Sequence, residues 1–373
     1  MSMTIMIVAN TSWYLYNFRL GLIKSLLERG YQVFTLVPED EFSDKLSQKG
    51  CHHIHLEMDN KGLNPVSDLR MKNKLTDIYS EINPDLIIHY TIKPVLYGSM
   101  VAGKLGISFM NNITGLGTVF IRRNWVTWLV KRLYRHSQKN ADYIFFQNSD
   151  DRELFNREKM ISEDMPQEVI PGTGIDTDHF NVRPYPESSP VAFLLIARML
   201  WDKGVGEFVE AARQIKLEFS DVRFQLLGFL DVINRTAISR QQMQIWIKQG
   251  VIDYLGETDD VRQHIASSSC VVLPSYREGL PRTLLEAASM GRPIVATDVT
   301  GCREVVEHGV NGYLCKVRDA NDLAQKMRNI IKLSSNDRRE MGLKGRKMME
   351  QHFDEKFVVK KIDNRIESVL NAT

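Results

Sequence analysis

The chain of 373 residues has no run that approaches 18 apolar residues, so no transmembrane helix is expected. Residues 5–9 are apolar but too short for the core of a signal peptide, and they lead into a polar loop. A cytoplasmic protein follows as the expectation. The four cysteines, Cys51, Cys270, Cys302 and Cys315, are widely spaced and form no C-x-x-C pair. That pattern argues for buried reduced thiols rather than disulfides or zinc. Net charge is only +2, so the whole-protein field gives no reason to expect a nucleic-acid partner, and any basic patch must be local. No internal repeat and no low-complexity run is present. No Asp-x-Asp ends an expected strand, so neither a metal nor another cofactor is expected.

What is present is an ordinary globular composition, 43% apolar and 25% charged, long enough for two domains. Short apolar runs alternate with helical spacing. Strands are expected at 4–8, 31–37, 51–56, 84–89, 109–112 and 142–146, with helices between them. Residues 10–17 read as a loop, and Phe18, Leu22 and Leu26 as the inward face of the helix after it. Residues 172–190 have little periodicity and read as a linker. A second alternating series runs from 191 to 315, with strands at 191–196, 222–228, 251–255, 270–273, 293–297 and 313–315. Short strands buried on both faces indicate parallel doubly wound sheets, so the class is α/β with two Rossmann-like domains facing a central cleft. Ligands of such sheets bind beyond the C-terminal strand ends. In the first half these are the loops 12–17, 90–94 and 114–118.

The stretch 270–292, CVVLPSYREGLPRTLLEAASMGR, carries the most chemistry. The run 270–273 ends at Pro274 as a buried strand would. The loop 275–282 follows, and a helix is expected over 281–290 with Pro281 in its first turn and Gly291 after its end. A helix start with free N–H groups favours a phosphate. Glu278 in the loop and Glu286 eight positions later can reach hydroxyls on either side of that phosphate. A sugar nucleotide has this layout of ribose, diphosphate and sugar. Upstream, Arg198 follows an apolar strand and Lys203-Gly204 comes five residues later. Two cations at a strand end can neutralise a diphosphate leaving group. Trp201, between them, reads as a packing residue.

Glu278-Gly279-Leu280-Pro281 followed by Leu284-Leu285-Glu286-Ala287 resembles the E-x7-E signature of the retaining GT-B glycosyltransferases of family GT4. Pro274-Ser275 before it and Gly291-Arg292-Pro293-Ile294-Val295-Ala296 after it resemble the family's flanking strands, and Arg198-x4-Lys203-Gly204 its diphosphate-binding pair. The resemblance implies sugar transfer from a nucleotide diphosphate sugar to a hydroxyl, with anomeric configuration retained. It implies that Arg198 and Lys203 hold the departing diphosphate, Glu278 the donor-sugar hydroxyls and Glu286 the ribose. Gly279, Leu280, Pro281, Thr283 and Leu284 belong to the loop and helix start around the donor. Gly228, closing its strand, would let the backbone approach the donor. The segment of Tyr254 resembles the one whose main chain reads uracil, although Tyr254 itself reads equally as core.

The first half matches less closely. Relatives often carry a Gly-Gly loop after the first strand, where this chain has residues 12–19, SWYLYNFR. That departure leaves the phosphate role of the loop in doubt. His89 ends the fourth strand, where many relatives have a histidine near the donor sugar, and the pattern leaves its direction open. Lys93 is a comparable candidate for the phosphate or a developing oxyanion. Gly115 and Gly117 form a glycine loop that a ligand can approach closely.

Residues 121–136, IRRNWVTWLVKRLYRH, place Trp125, Trp128, Leu129, Arg132 and Leu133 on or near one helical face amid five basic residues. The segment reads equally as a domain helix or as contact with an anionic inner-membrane surface, and the resemblance favours the second. Over nearly its full length the chain is similar to the subgroup that adds N-acetylgalactosamine or a related sugar to undecaprenyl-diphosphate-linked saccharides. Residues 90–94 (YTIKP), 114–117 (TGLG) and 198–204 carry that similarity. It implies a hexosyltransferase of O-antigen, capsule or glycan assembly, with a UDP-sugar donor and a polyprenyl-diphosphate-linked acceptor. The enzyme would be cytoplasmic and peripheral on the inner face of the membrane. The domains would be 1–171 with a C-terminal helix, 355–373, returning to it, and 191–354. The alternatives are an epimerase-like GT-B enzyme and a non-catalytic sugar-nucleotide-binding protein.

Overall fold

Strands β1 (Thr4–Val8) and β2 (Gln32–Val37) are built from β-branched and leucine-type residues, and β1 is buried along nearly its whole length. Strand β3 (His52–His55) is short and half-exposed, as an edge strand is. Strands β4 (Leu86–Tyr90), β5 (Phe109–Ile113) and β6 (Tyr143–Phe146) are buried throughout, and β7 (Gln167–Val169) closes the row. The computed structural model describes residues 2–58, 65–115, 125–186, 190–232 and 234–372. These seven strands form one parallel sheet in the order β3-β2-β1-β4-β5-β6-β7. Its order reverses between β1 and β4, which makes their C-terminal ends the switch point of the sheet.

The second sheet contains β8 (Val191–Ile196), β9 (Val222–Leu227), β10 (Asp253–Tyr254), β11 (Cys270–Leu273), β12 (Ile294–Thr297) and β13 (Gly312–Cys315). Its order is β10-β9-β8-β11-β12-β13, also parallel, and it reverses between β8 and β11. Helices cover both faces of each sheet, so each has two apolar clusters, one per face.

The chain divides into Met1–Thr173 with Glu355–Thr373, and Gly174–Asp354. The helix Glu355–Leu370 belongs to the first unit because Val358, Ile362, Ile366 and Val369 enter its core. Ser25 Oγ donates to Asp363 at 2.6 Å, and Arg29 pairs with Glu367. Most of the expected linker is instead part of the second unit. Ile175 and Phe180 are buried there, the Ile175 N–H donates to the Phe353 carbonyl at 2.8 Å, and Tyr185 donates to the Ser269 carbonyl at 2.8 Å. Residues 187–189 of that segment lie outside the described residues.

A second difference lies after β1. Residues expected as a loop form a helix, Ser12–Phe18, whose start is capped by Thr11 accepting from the Tyr14 N–H at 3.1 Å. Leu15 anchors it in the core. The four cysteines are buried free thiols, and burial pushes each thiol above its usual range. Among the described residues, no helix is long and apolar enough to cross a membrane.

Candidate active site

The switch point of the second sheet collects the charged residues singled out above. Strand β8 ends at Ile196, and Ala197-Arg198 follows. Strand β11 ends at Leu273, and Pro274 to Gly279 follows. Arg198 is exposed, and its guanidinium has no ion pair or hydrogen bond among the described residues. The 3₁₀ turn Trp201–Lys203 brings Lys203 Nζ to 2.5 Å from Glu278 Oε1, with both side chains mostly shielded, 21% and 12% exposed.

Gly204 makes that turn possible. Its φ is +73°, and a Cβ there would lie 2.0 Å from the Pro274 carbonyl oxygen. The loop that carries Glu278 is held from the other side. The Glu278 N–H donates to the Thr300 carbonyl at 3.3 Å, and a Cβ on Gly301 would meet the Gly279 carbonyl oxygen at 2.5 Å.

The helix after β11 runs Arg282–Ser289, one residue inside the expected start. Pro281 is extended, at the N-cap rather than in the first turn. Leu284 is fully buried and its N–H donates to the Pro281 carbonyl at 3.0 Å, so its expected place beside a ligand is corrected to a core role. Leu280 packs against the same core, and Thr283 Oγ1 donates to the Ile196 carbonyl at 3.4 Å. Glu286 accepts from Arg282 Nε at 3.0 Å across one helical turn. Burial raises the Glu286 carboxyl above its usual range, and Arg282 opposes that shift. The (i, i+4) spacing of Arg282 and Glu286 is the signal in the sequence for this partner.

Two other expected ligand-contact residues have close partners within the protein. Gly228 has a φ of +134°, and a Cβ there would lie 2.1 Å from the Ala197 carbonyl oxygen. Close backbone packing within the sheet therefore requires the glycine. The Tyr254 hydroxyl donates to the Gly228 carbonyl at 2.8 Å, so its polar end is used within the protein.

The switch point of the first sheet differs. His89 is fully buried, its Nε2 2.9 Å from the Tyr79 hydroxyl and its Nδ1 3.0 Å from Asn111 Oδ1. Burial lowers its pKa to about 3, so the expected place beside the donor is corrected to that of a neutral, fully buried core residue. Lys93 is also corrected. Its Nζ lies 2.7 Å from Asp68 Oδ1, both side chains are nearly buried, and the Tyr97 hydroxyl donates to the other carboxylate oxygen at 2.9 Å. Thr91, between them, holds a left-handed φ of +66°. Gly115, two residues beyond the end of β5, has a φ of +111°, while Gly117 lies outside the described residues.

The basic helix spans Trp125–Ser137. Val130 and Tyr134 are buried, Leu133 packs against the core, and Trp128 is 61% exposed. Arg132 lies over the Trp128 ring at 5.7 Å. A surface groove of about 760 Å³ is lined by Trp128, Lys131, Arg132, Arg135, His136 and Lys139, among others. Lys131 pairs with Glu158 at 2.8 Å, and Arg135 donates to the Lys159 carbonyl at 2.8 Å. Residues 121–124 lie outside the described residues.

Two parallel doubly wound units match solved structures over nearly their full lengths. Sucrose-phosphate synthase from Thermosynechococcus elongatus superposes with a TM-score of 0.81 at 17% identity, covering 100% of both chains. Anabaena Alr3699/HepE, solved with UDP and glucose, superposes with a TM-score of 0.78 at 18% identity, covering 98% of this chain and 100% of that one. The fold is GT-B.

Residues 4–148 match the family described as glycosyl transferase 4-like, and residues 190–333 match glycosyl transferases group 1. The chain belongs to this glycosyltransferase family and is a hexosyltransferase. It is similar to the N,N'-diacetylbacillosaminyl-diphospho-undecaprenol alpha-1,3-N-acetylgalactosaminyltransferase of Campylobacter jejuni, 32% identical over 84% of this chain and 85% of that protein. It is also similar to the UDP-Gal:alpha-D-GlcNAc-diphosphoundecaprenol alpha-1,3-galactosyltransferase of Escherichia coli, 22% identical over 80% of this chain and 82% of that one.

Proposed function

We propose that this enzyme moves a sugar, N-acetylgalactosamine or a related hexose derivative, from UDP to a polyprenyl-diphosphate-linked saccharide. The reaction belongs to bacterial surface polysaccharide or glycan assembly and retains the anomeric configuration. The observation that carries the reading is the set Arg198, Lys203, Glu278 and Glu286 at one switch point, beside the start of the helix Arg282–Ser289. The activities in the names of the Campylobacter and Escherichia relatives support the acceptor class.

Arg198 and Lys203 take the departing diphosphate, aided by the helix start. Glu278 accepts hydrogen bonds from the donor-sugar hydroxyls, and Glu286 from the ribose. The bond from the anomeric carbon to the diphosphate oxygen breaks, and the acceptor oxygen bonds to that carbon on the same face. The acceptor proton passes to the departing diphosphate oxygen, so no protein carboxylate serves as nucleophile. Neutralisation of the diphosphate is assigned to the two cations, and no metal is asked of the site.

The exposed Trp128 and the basic groove beside it support contact with an anionic membrane surface. The enzyme then works as a peripheral protein on the inner face of the membrane. Cosedimentation with anionic vesicles tests this contact. Binding should weaken in Trp128→Ala and Arg132→Glu, and equal binding by both variants would remove the helix from the account.

The test of the reaction is nucleotide release from a panel of UDP-, GDP- and ADP-sugars, with and without undecaprenyl-diphosphate-linked acceptors, in the presence of EDTA. Acceptor-dependent release of UDP from one sugar is expected. Release from no UDP-sugar with any polyprenyl-diphosphate saccharide would overturn the assignment.

A further inference from the structure

The Lys203–Glu278 pair is formed by two segments that are far apart in sequence, and a second contact joins the same segments. Glu207 lies four residues after Lys203, in the first turn of the helix Val205–Lys216. Tyr276 lies two residues before Glu278. The Tyr276 hydroxyl donates to Glu207 Oε1 at 2.7 Å, while Glu207 Oε2 is buried without a hydrogen-bond partner among the described residues. The Arg318 guanidinium lies over the Tyr276 ring at 4.5 Å. Burial, with the Glu207 hydrogen bond second, raises the Tyr276 phenol above its usual range, so it remains a donor.

Main-chain contacts tie this bond to the site. The Tyr276 N–H donates to the Asp202 carbonyl at 2.9 Å, and Ser275 Oγ donates to the same oxygen at 3.3 Å. Thr236 Oγ1 donates to Asp202 Oδ2 at 3.0 Å. Asp202 directly precedes Lys203 in the 3₁₀ turn. A carboxylate oxygen shielded without a partner is costly to keep, and here the other oxygen of the same group is committed to one phenol.

We infer that Glu207 and Tyr276 are positioning residues: they staple the Lys203 turn to the Glu278 loop and set the placing of the cation against the carboxylate. The inference rests on the proposed roles of Lys203 and Glu278 in the donor site, although the staple itself is independent of any ligand. Both are assigned to act through Lys203 and Glu278. Tyr276→Phe removes the bond while keeping the ring under Arg318. Glu207→Gln keeps an acceptor for the phenol, and Glu207→Ala does not.

Two readouts separate the staple from the function. The first needs no ligand. In reductively ¹³C-methylated protein, the dimethyl-lysine signal of Lys203, assigned by its loss in Lys203→Arg, reports its pairing with Glu278. Tyr276→Phe and Glu207→Ala should move that signal toward its position in Glu278→Ala, and Glu207→Gln should leave it close to that of the native protein. An unmoved signal in Tyr276→Phe and Glu207→Ala would overturn the inference.

The second readout is UDP affinity by calorimetry. Tyr276→Phe should weaken it by about tenfold, the size of one hydrogen bond. The loss should shrink to near nothing in a Lys203→Ala background, because the two changes act through one group. Equal losses in both backgrounds would mean that the phenol acts on general stability and would also overturn the inference. If the lysine signal moves as stated and the native protein binds no UDP, the proposed donor fails while the staple stands.

Discussion

The two sheets share a topology and use their switch points in opposite ways. At the β8/β11 end, among the described residues, the Arg198 side chain at the surface has no ion pair and Lys203 pairs with Glu278. At the β1/β4 end, His89 is sealed between Tyr79 and Asn111, and Lys93 is closed onto Asp68, which also accepts from the Tyr97 hydroxyl. Both ends carry polar residues just where a doubly wound sheet binds ligands. The difference lies in what already satisfies them. A group whose hydrogen bonds are complete within the core has little left for a ligand, whereas a half-shielded charge with one partner can exchange it for a phosphate or a sugar hydroxyl.

The largest expected effect sharpens the buried side of this comparison. His89 stays neutral when folded but takes a proton near its ordinary pKa when unfolded. The unfolded state therefore binds more protons between the ordinary pKa of 6.5 and about 3, and stability falls as pH drops through that window. The full loss is about 5 kcal/mol for this one group. Imidazole ¹⁵N spectra at pH 4.5 should show His89 neutral in the folded protein, and a doubly protonated ring there would break the assignment.

Next is Lys93. Lys93→Ala leaves Asp68 charged and buried, at a cost of about 3–5 kcal/mol in urea unfolding. The double change Lys93→Met with Asp68→Asn should recover most of that loss, because neither partner is then left charged. A Lys93→Ala protein of native stability would show that the pair is not closed in solution.

On the open side, Arg198→Ala should cost about 3–4 kcal/mol in the transition state, read as a fall in kcat/KM of two to three decades with little change in Tm. A fall in Tm without a fall in kcat/KM would reverse the comparison at this residue.

The smallest effect concerns Glu286. Burial raises its pKa, so the folded protein loses this carboxylate earlier than an ordinary glutamate as pH falls, and UDP affinity should decline with falling pH. The decline should be absent in Glu286→Gln, which is already uncharged. An identical pH dependence in that variant would assign the titration elsewhere.

Much of the architecture was legible in the sequence because a buried parallel strand must be apolar on both faces. Runs such as 4–8, 191–196 and 270–273 therefore stand out from the helical spacing around them. The positions of Arg198, Lys203 and Glu278 at strand ends were legible for the same reason. Residues 12–18 were not, because the helix there owes its place to the Thr11 cap and to Leu15 in the core, and its aromatic content blurs any period. The fates of His89 and Lys93 were also hidden. Their partners Tyr79, Asn111 and Asp68 come from other elements, and local spacing carries no trace of a contact made across the sheet. The Tyr276–Glu207 bond spans 69 residues and was hidden in the same way.

The most direct test sets the two lysines against each other. UDP binding would be measured by calorimetry on the native protein, on Lys203→Ala, and on Lys93→Met with Asp68→Asn. The account predicts that Lys203→Ala weakens binding by at least about tenfold, the effect of one charge-assisted contact, while the Lys93 double variant binds as the native protein does. Weakened binding in the Lys93 double variant with native affinity in Lys203→Ala would contradict it.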